Sequence, residues 1–289
     1  MKNILIQLDT DVQPSTFDRV VAIDADVDEL LSYGGITPEN VEALVHGAMF
    51  TRGPKKLQHT AIFVGGSNVK AGEALFQRIQ QTFFGPVRVS VMMDSNGSNT
   101  TAAAAVLAAK KHLKFSETTA LILGGTGPVG QRAAQLLANR GAKVIVASRS
   151  EERAQVTCDA IAATVEGAKL QALSLKDHKQ IEVANRETNL IIAAGAAGVK
   201  LIPAACWKPM KQLKVVIDLN AVPPAGVEEV DVMDQATDRD GILCYGAIGV
   251  GGTKMKIHKA AIRKLFETND LLLDTEEIYQ IGAELKKNT

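Results

Sequence analysis

The sequence predicts an α/β protein of two domains, an N-terminal α/β domain followed by a Rossmann-type domain on a parallel sheet. Three observations predict it. Short, near-continuously apolar runs rich in Val, Ile and Leu alternate with longer amphipathic stretches. That alternation is the mark of parallel strands covered by helices on both faces. A glycine-rich turn of dinucleotide-binding type starts only at Gly124, so a domain's length of chain precedes it. The total of 289 residues then accommodates two units of roughly 100–200 residues each.

Taken in order, strands are expected at 4–8, 61–64, 87–92, 120–123, 143–147, 170–173, 190–193 and 215–219, and helices at 38–50, 71–83, 100–113, 128–140, 151–163, 255–266 and 275–286. The strands are short runs rich in β-branched and apolar residues. Each helix carries apolar residues three and four apart. The run Ala102–Ala105 is strong helix chemistry. These elements divide into a first domain over 1–113, a Rossmann domain over 114–252, and C-terminal helices over 253–289 that pack back on the first domain.

Composition excludes several classes. The apolar share is 46% and the charged share 22%, which rules out a disordered tail and a collagen-like repeat. Thirty-two Lys and Arg balance 32 Asp and Glu, so no global basic field draws nucleic acid. The longest apolar run, 190–199, is far short of the roughly 20 residues a membrane-spanning helix needs. Asp9 interrupts the N-terminal apolar run before it reaches the length of a secretory signal core. Cys158, Cys206 and Cys244 are odd in number and form no C-x-x-C pattern. They read as free thiols in a reducing cytoplasm, without a structural metal.

The main motif is Gly125-Thr126-Gly127-Pro128-Val129-Gly130, a G-x-G-x-x-G sequence between a strand and a helix. The first glycine makes a tight turn, the second lets backbone approach a pyrophosphate, and the third lets helix and strand pack closely. The helix N-terminus then offers N–H groups to phosphate, and Pro128 suits a first helical position. The next strand ends in Ser148-Arg149-Ser150, with Arg153 following, where an NAD site carries an acidic residue. A hydroxyl and a guanidinium suit a 2′-phosphate, which favours NADP. NAD stays open if Arg149 stacks on adenine, and the alternative for Arg149 and Arg153 is a plain solvated helix start. Ala194, Gly195 and Ala196 close one later strand and Asn220 follows another, at the sheet end where ligands bind. Tight loop geometry is the alternative reading for each.

Other chemistry is missing. Tyr33, Tyr245 and Tyr279 are followed four residues on by Thr37, Gly249 and Ala283, so no Tyr-x-x-x-Lys pair exists. His46, His59, His112, His178 and His258 share no metal-ligand spacing, and His112 and His178 read as surface residues. No nucleophile elbow is present. A dinucleotide site without an evident acid or base fits hydride transfer governed by positioning, an effect worth roughly 7–11 kcal/mol.

Three further segments carry a resemblance: Gln7 to Asp18, Asp94-Ser95-Asn96-Gly97-Ser98-Asn99-Thr100-Thr101 with the preceding Met93, and Gly246 to His258. With the glycine turn and Phe83-Phe84-Gly85-Pro86, the chain resembles the bacterial NADP-dependent methylene-tetrahydromethanopterin dehydrogenases nearly end to end. That resemblance implies hydride transfer from the methylene bridge of a reduced pterin to NADP, giving a methenyl cation, within formaldehyde oxidation. It implies a pterin in the cleft between the two domains, a tetrahydropterin one-carbon carrier as partner, and a cytoplasmic homo-oligomer. Methylene-tetrahydrofolate is the related alternative substrate. Carried over by residue, Lys254 matches the active-site lysine, Phe17 an aromatic beside the pterin, and Arg149 the 2′-phosphate contact. Ser148 stands where some relatives have glycine and Ser150 where they have lysine, which bears on NADP preference.

On the substrate side, Asp9 and Asp11 follow a strand end. They suit either the amino and N–H edge of a pterin or a capped turn. Ser95, Asn96, Ser98 and Asn99 form a polar loop that either contacts ligand or caps the helix after it. Lys254 reads as lying near a helix start, where the dipole disfavours a cation. Two other readings remain: a different two-domain dehydrogenase, or an NADP-binding redox sensor without turnover. The Asn-x-Thr-x-Pro-x-Lys run of the shikimate type is missing.

Overall fold

The computed structural model describes residues 1–176 and 186–285. His178 and the expected helix end at Lys286 lie outside them. Along the chain run β1 (Ile4–Asp9), α1 (Thr16–Asp24), β2 (Glu29–Tyr33), α2 (Glu42–Phe50), β3 (Thr60–Gly65), α3 (Val69–Thr82), β4 (Ser90–Met93), α4 (Ser98–Lys110) and β5 (Thr119–Leu123). Then follow α5 (Pro128–Ala138), β6 (Lys143–Ser148), α6 (Glu151–Ala162), β7 (Lys169–Ser174), β8 (Leu190–Ala193), the short α7 (Ala204–Trp207) and β9 (Val215–Asp218). The hairpin strands β10 (Gln235–Arg239) and β11 (Ile242–Tyr245), α8 (Ala247–Lys264), β12 (Leu272–Leu273) and α9 (Thr275–Leu285) complete the described fold. The chain divides into two compact units, Met1–Thr100 with Met255–Thr289, and Thr101–Lys254. The divisions fall inside α4 and α8.

The first unit holds a five-stranded sheet in the order β12-β4-β3-β1-β2, with every pairing parallel. Ile6, Leu8, Ile62, Val64 and Val91 of the sheet pack against Val45, Leu75 and Ile79 of α2 and α3. Ser15 and Asn68 cap α1 and α3 by accepting from the amides of Asp18 and Ala71. The chain order reverses between β1 and β3, so the crevice at their carboxyl ends is a topological switch point.

In the second unit a seven-stranded sheet runs β10-β11-β9-β8-β5-β6-β7. Only β10 pairs antiparallel, as an edge strand. Its switch point lies between β5 and β8. Leu121, Leu123, Ile145, Ile191, Val216 and Trp207 form the core on one face, and the Trp207 indole donates to the Glu228 carbonyl at 3.1 Å.

Three departures from the sequence reading have physical causes. Strand β2, with the edge sequence Glu-Leu-Leu-Ser-Tyr, is only half apolar, because an edge strand is not buried on both faces. The β10–β11 hairpin turns through Asp240 and Gly241 at φ 58° and 85°, the left-handed pair that an Asp-Gly turn favours. Helix α8 begins at Ala247, earlier than the expected residue 255. Its glycine-rich start stays helical because it packs on backbone: a Cβ at Gly249 would lie 1.8 Å from the Asp234 carbonyl oxygen.

Candidate functional site

The glycine turn sits at the switch point of the second unit. Gly124 has φ +70°, and a Cβ there would lie 2.7 Å from Gly195 Cα, so the loops after β5 and β8 touch backbone to backbone. At Gly125 a Cβ would meet Val146 Cγ1 at 2.8 Å, and at Gly130 it would meet the Gly124 oxygen at 2.6 Å. Those are the tight turn and the close helix–strand contact that the motif requires. Gly127 caps α5 with extended backbone and no side-chain hydrogen bond, and Pro128 opens the helix. The first amides of α5 therefore have no side-chain cap, the arrangement that receives a phosphate. Thr126 is held by Gln131 Nε2, which donates to its carbonyl at 2.8 Å. Val129 is half-buried in the first turn of α5. Side chains at the glycine positions would fill this cradle, so the residues present fit a dinucleotide.

At the end of β6, Ser148 is buried with its hydroxyl 3.4 Å from the Thr126 hydroxyl. Ser150 caps α6 by accepting from the Arg153 amide at 3.3 Å. Arg149 and Arg153 are exposed, and among the described residues neither has an ion-pair partner. After β8, the Ala194 amide donates to the Leu123 carbonyl at 2.9 Å while Ala196 is exposed. Asn220 braces its own loop: Oδ1 accepts from the Val222 and Gly198 amides at 3.0 and 3.3 Å, and Nδ2 donates to the Pro224 carbonyl at 3.0 Å. Asp218, buried beside it, accepts from the amides of Asn220 and Val227 at 3.0 and 2.9 Å. Burial raises its carboxyl pKa, and the backbone bonds oppose that rise.

The polar residues of the first unit converge on the carboxyl ends of β1, β3 and β4. Asp9 is buried; its carboxylate accepts from the amides of Asp11 and Ser15, each at 2.9 Å. Asp11 bridges to the next loop, accepting from the Ser67 amide and hydroxyl, both at 2.9 Å. Ser95 donates to the Gly65 carbonyl at 3.1 Å, and Ser98 to the Ser95 carbonyl at 2.8 Å. Asn99 Nδ2 donates to the Met93 carbonyl at 2.6 Å and to Asp274 at 2.9 Å, and its oxygen accepts from the Thr275 hydroxyl at 2.8 Å. These groups are engaged in holding loops and the start of α9. Asn96, at φ 54°, and Phe17, 51% exposed, instead face outward.

Two residues that the sequence reading named but did not assign to a site join this cluster. Asp94 caps α4, accepting from the amides of Asn99 and Thr100 at 2.9 and 3.0 Å and from the Thr100 hydroxyl at 2.6 Å. His258 is fully buried; its Nδ1 lies 3.8 Å from Asp94 Oδ2 and its ring stacks on Phe63 with centroids 5.6 Å apart. Phe17 lies over it at 6.3 Å. In the sequence Asp94 and His258 both lie in the segments that carry the family resemblance, 164 residues apart, and nothing there pairs them. Lys254 itself is half-buried and well inside α8, not near its start. The expected dipole penalty on its charge therefore does not apply, because that effect fades within the first turn.

Comparison with known proteins adds to this geometry. The family model described as "Methylene-tetrahydromethanopterin dehydrogenase, N-terminal" matches residues 16–96, and that described as "Shikimate / quinate 5-dehydrogenase" matches residues 106–238. In Methylorubrum extorquens, the "NAD(P)-dependent methylenetetrahydromethanopterin dehydrogenase" is 32% identical over 284 residues, covering 94% of each chain. The "Bifunctional protein MdtA" of the same organism is 43% identical over 286 residues, 98% of this chain and 99% of that one. The chain belongs to the methylene-tetrahydromethanopterin dehydrogenase family. This family member also shares its fold with two solved structures. Quinate dehydrogenase from Corynebacterium glutamicum, in complex with NAD, aligns at TM-score 0.55 and 13% identity over 98% of this chain and 99% of that one. Shikimate 5-dehydrogenase from Listeria monocytogenes aligns at 0.55 and 14% identity over 97% and 96%. Among the described residues, no helix is long and apolar enough to cross a membrane.

Proposed function

We propose that this family member is an oxidoreductase that moves a hydride between methylene-tetrahydromethanopterin and NADP. Methylene-tetrahydrofolate is the second substrate to test and NAD the second cofactor. One observation carries the reading: 32% identity over 94% of each chain with a relative named as an NAD(P)-dependent methylenetetrahydromethanopterin dehydrogenase, in a chain that keeps the glycine cradle after β5. The bound nicotinamide supplies the hydride acceptor.

The chain's own residues bind and orient. Gly125, Thr126, Gly127, Pro128, Val129 and Gly130 hold the pyrophosphate on the uncapped start of α5. Exposed Arg149, with Ser148, Ser150 and Arg153, receives the 2′-phosphate, and a guanidinium there selects NADP over NAD. Ala194, Gly195, Ala196 and Asn220 border the nicotinamide end. Exposed Phe17 offers a face for the pterin, and Asn96 an outward amide. Asp9, Asp11, Ser95, Ser98 and Asn99 support that surface mainly by fixing its loops.

When the methylene carbon loses a hydride, the C–H electron pair leaves with it. The two flanking nitrogens share the remaining positive charge, so no proton has to be removed. Lys254 accordingly orients substrate and sets the local field and does not act as a base. The reading includes a cytoplasmic homo-oligomer serving formaldehyde oxidation. The test is the reduced-nicotinamide absorbance after mixing enzyme, NADP and methylene-tetrahydromethanopterin, repeated with methylene-tetrahydrofolate and with NAD. Turnover with NADP preferred supports the proposal; inactivity with both pterins overturns it.

A further inference from the structure

Helix α8 and its entry contain glycines of two kinds. A Cβ at Gly246 would lie 2.0 Å from the Asp231 carbonyl oxygen, and one at Gly249 would lie 1.8 Å from that of Asp234. Packing alone dictates both. At Gly251 and Gly252 a Cβ would meet nothing within 4 Å. Both are helical, without a left-handed backbone angle. Neither sterics nor conformation within the folded chain therefore calls for glycine, although glycine in a helix interior is less favourable than alanine.

Openness by itself does not mark a site, since Gly47 in α2 is equally open. Position separates them. Successive helical residues turn by about 100°, so Gly251 lies roughly 200° around α8 from Gly249, away from the face packed on Asp234. It sits three residues before Lys254 on the same side. Residues three apart are neighbours on a helix surface, so the turn that contains Gly251 adjoins Lys254. That turn presents bare backbone next to a cation.

We propose that Gly251 is a specificity-determining residue, leaving bare backbone on which the flat pterin of the substrate lies beside Lys254. The inference rests on the functional reading above. A methyl group at residue 251 lifts the ring from the helix without disturbing the fold. The test is Gly251→Ala in the full-length enzyme, with Gly47→Ala as the control for helix propensity. Both substitutions raise Tm by roughly 2–3 °C. Gly251→Ala also raises KM for the methylene pterin, and its calorimetric Kd, by about tenfold, while KM for NADP stays within about twofold. Gly47→Ala leaves both constants unchanged.

An unchanged pterin KM and Kd in Gly251→Ala overturn the inference. A fall in Tm does too, because it shows that packing required the glycine. If the wild-type enzyme turns over no methylene pterin, the functional reading fails first and this inference falls with it. Wild-type turnover with an unaffected variant refutes the inference alone.

Discussion

Asn99→Ala offers a decisive contrast between a ligand contact and a structural node. The buried amide makes two donations, to the Met93 carbonyl and to Asp274, and accepts from the Thr275 hydroxyl. Removing it strands the Met93 carbonyl and, among the described residues, leaves the Thr275 hydroxyl and the Asp274 carboxylate with only their 3.3 Å bond to each other. A neutral hydrogen bond contributes about 0.5–1.5 kcal/mol and one to a charged group about 1.5–3 kcal/mol, so the three together amount to about 3–5 kcal/mol. For a chain of this size such a loss lowers Tm by roughly 10 °C. The assay is thermal unfolding followed by circular dichroism, with hydrogen exchange of α9 as a local readout. Protection of α9 should fall first, since Asp274 and Thr275 lie at its start. Asn99→Asp should do no better, because it discards both donations and sets a second carboxylate beside Asp274. If Asn99→Ala melts within about 2 °C of the wild type while its pterin KM rises tenfold, the structural account is wrong.

Three other outcomes are expected. Arg149→Ala raises KM for NADP by about 10–100-fold through loss of a charge-assisted contact and leaves KM for NAD nearly unchanged; steady-state kinetics with each cofactor checks it. Gly130→Ala forces a methyl to within 2.6 Å of the Gly124 oxygen, destabilises by about 1–3 kcal/mol and weakens NADP binding, as read by melting and calorimetry. Burial pushes the Cys244 thiol up from 9.0 to about 11. The unfolded chain then ionises first as pH rises, so stability falls between about pH 9 and 11 by about 2–3 kcal/mol. Urea unfolding of Cys244→Ala across that range should show a shallower decline, the remainder including the buried Tyr245, whose pKa burial also raises.

Much of the fold was legible because it is locally written. The buried strands are continuous apolar runs, and the glycine turn declares itself by spacing. Strand β2 was not, because an edge strand lacks that continuity, and β12 is only two residues that pair with β4. The Asp240-Gly241 turn was a usable signal for the β10–β11 hairpin. At the site, residue types were visible but their engagement was not. Asp9 and Asp11 look alike in sequence, yet one is buried against its own loop and the other bridges to Ser67. His258 looked solitary until α8 brought it against Asp94 and Phe63.

The sequence by itself determined the two-domain α/β class, the dinucleotide turn and the family, because periodicity, turn residues and motif spacing act over a few residues. Tertiary structure alone decided which polar atoms are already used. Asn99 meets a carboxylate 175 residues away, and a desolvated amide must satisfy its hydrogen bonds wherever folding brings a partner. It also separated the glycines of α8: at Gly249 another stretch of backbone occupies the space of a Cβ, and at Gly251 no described atom lies within 4 Å of it.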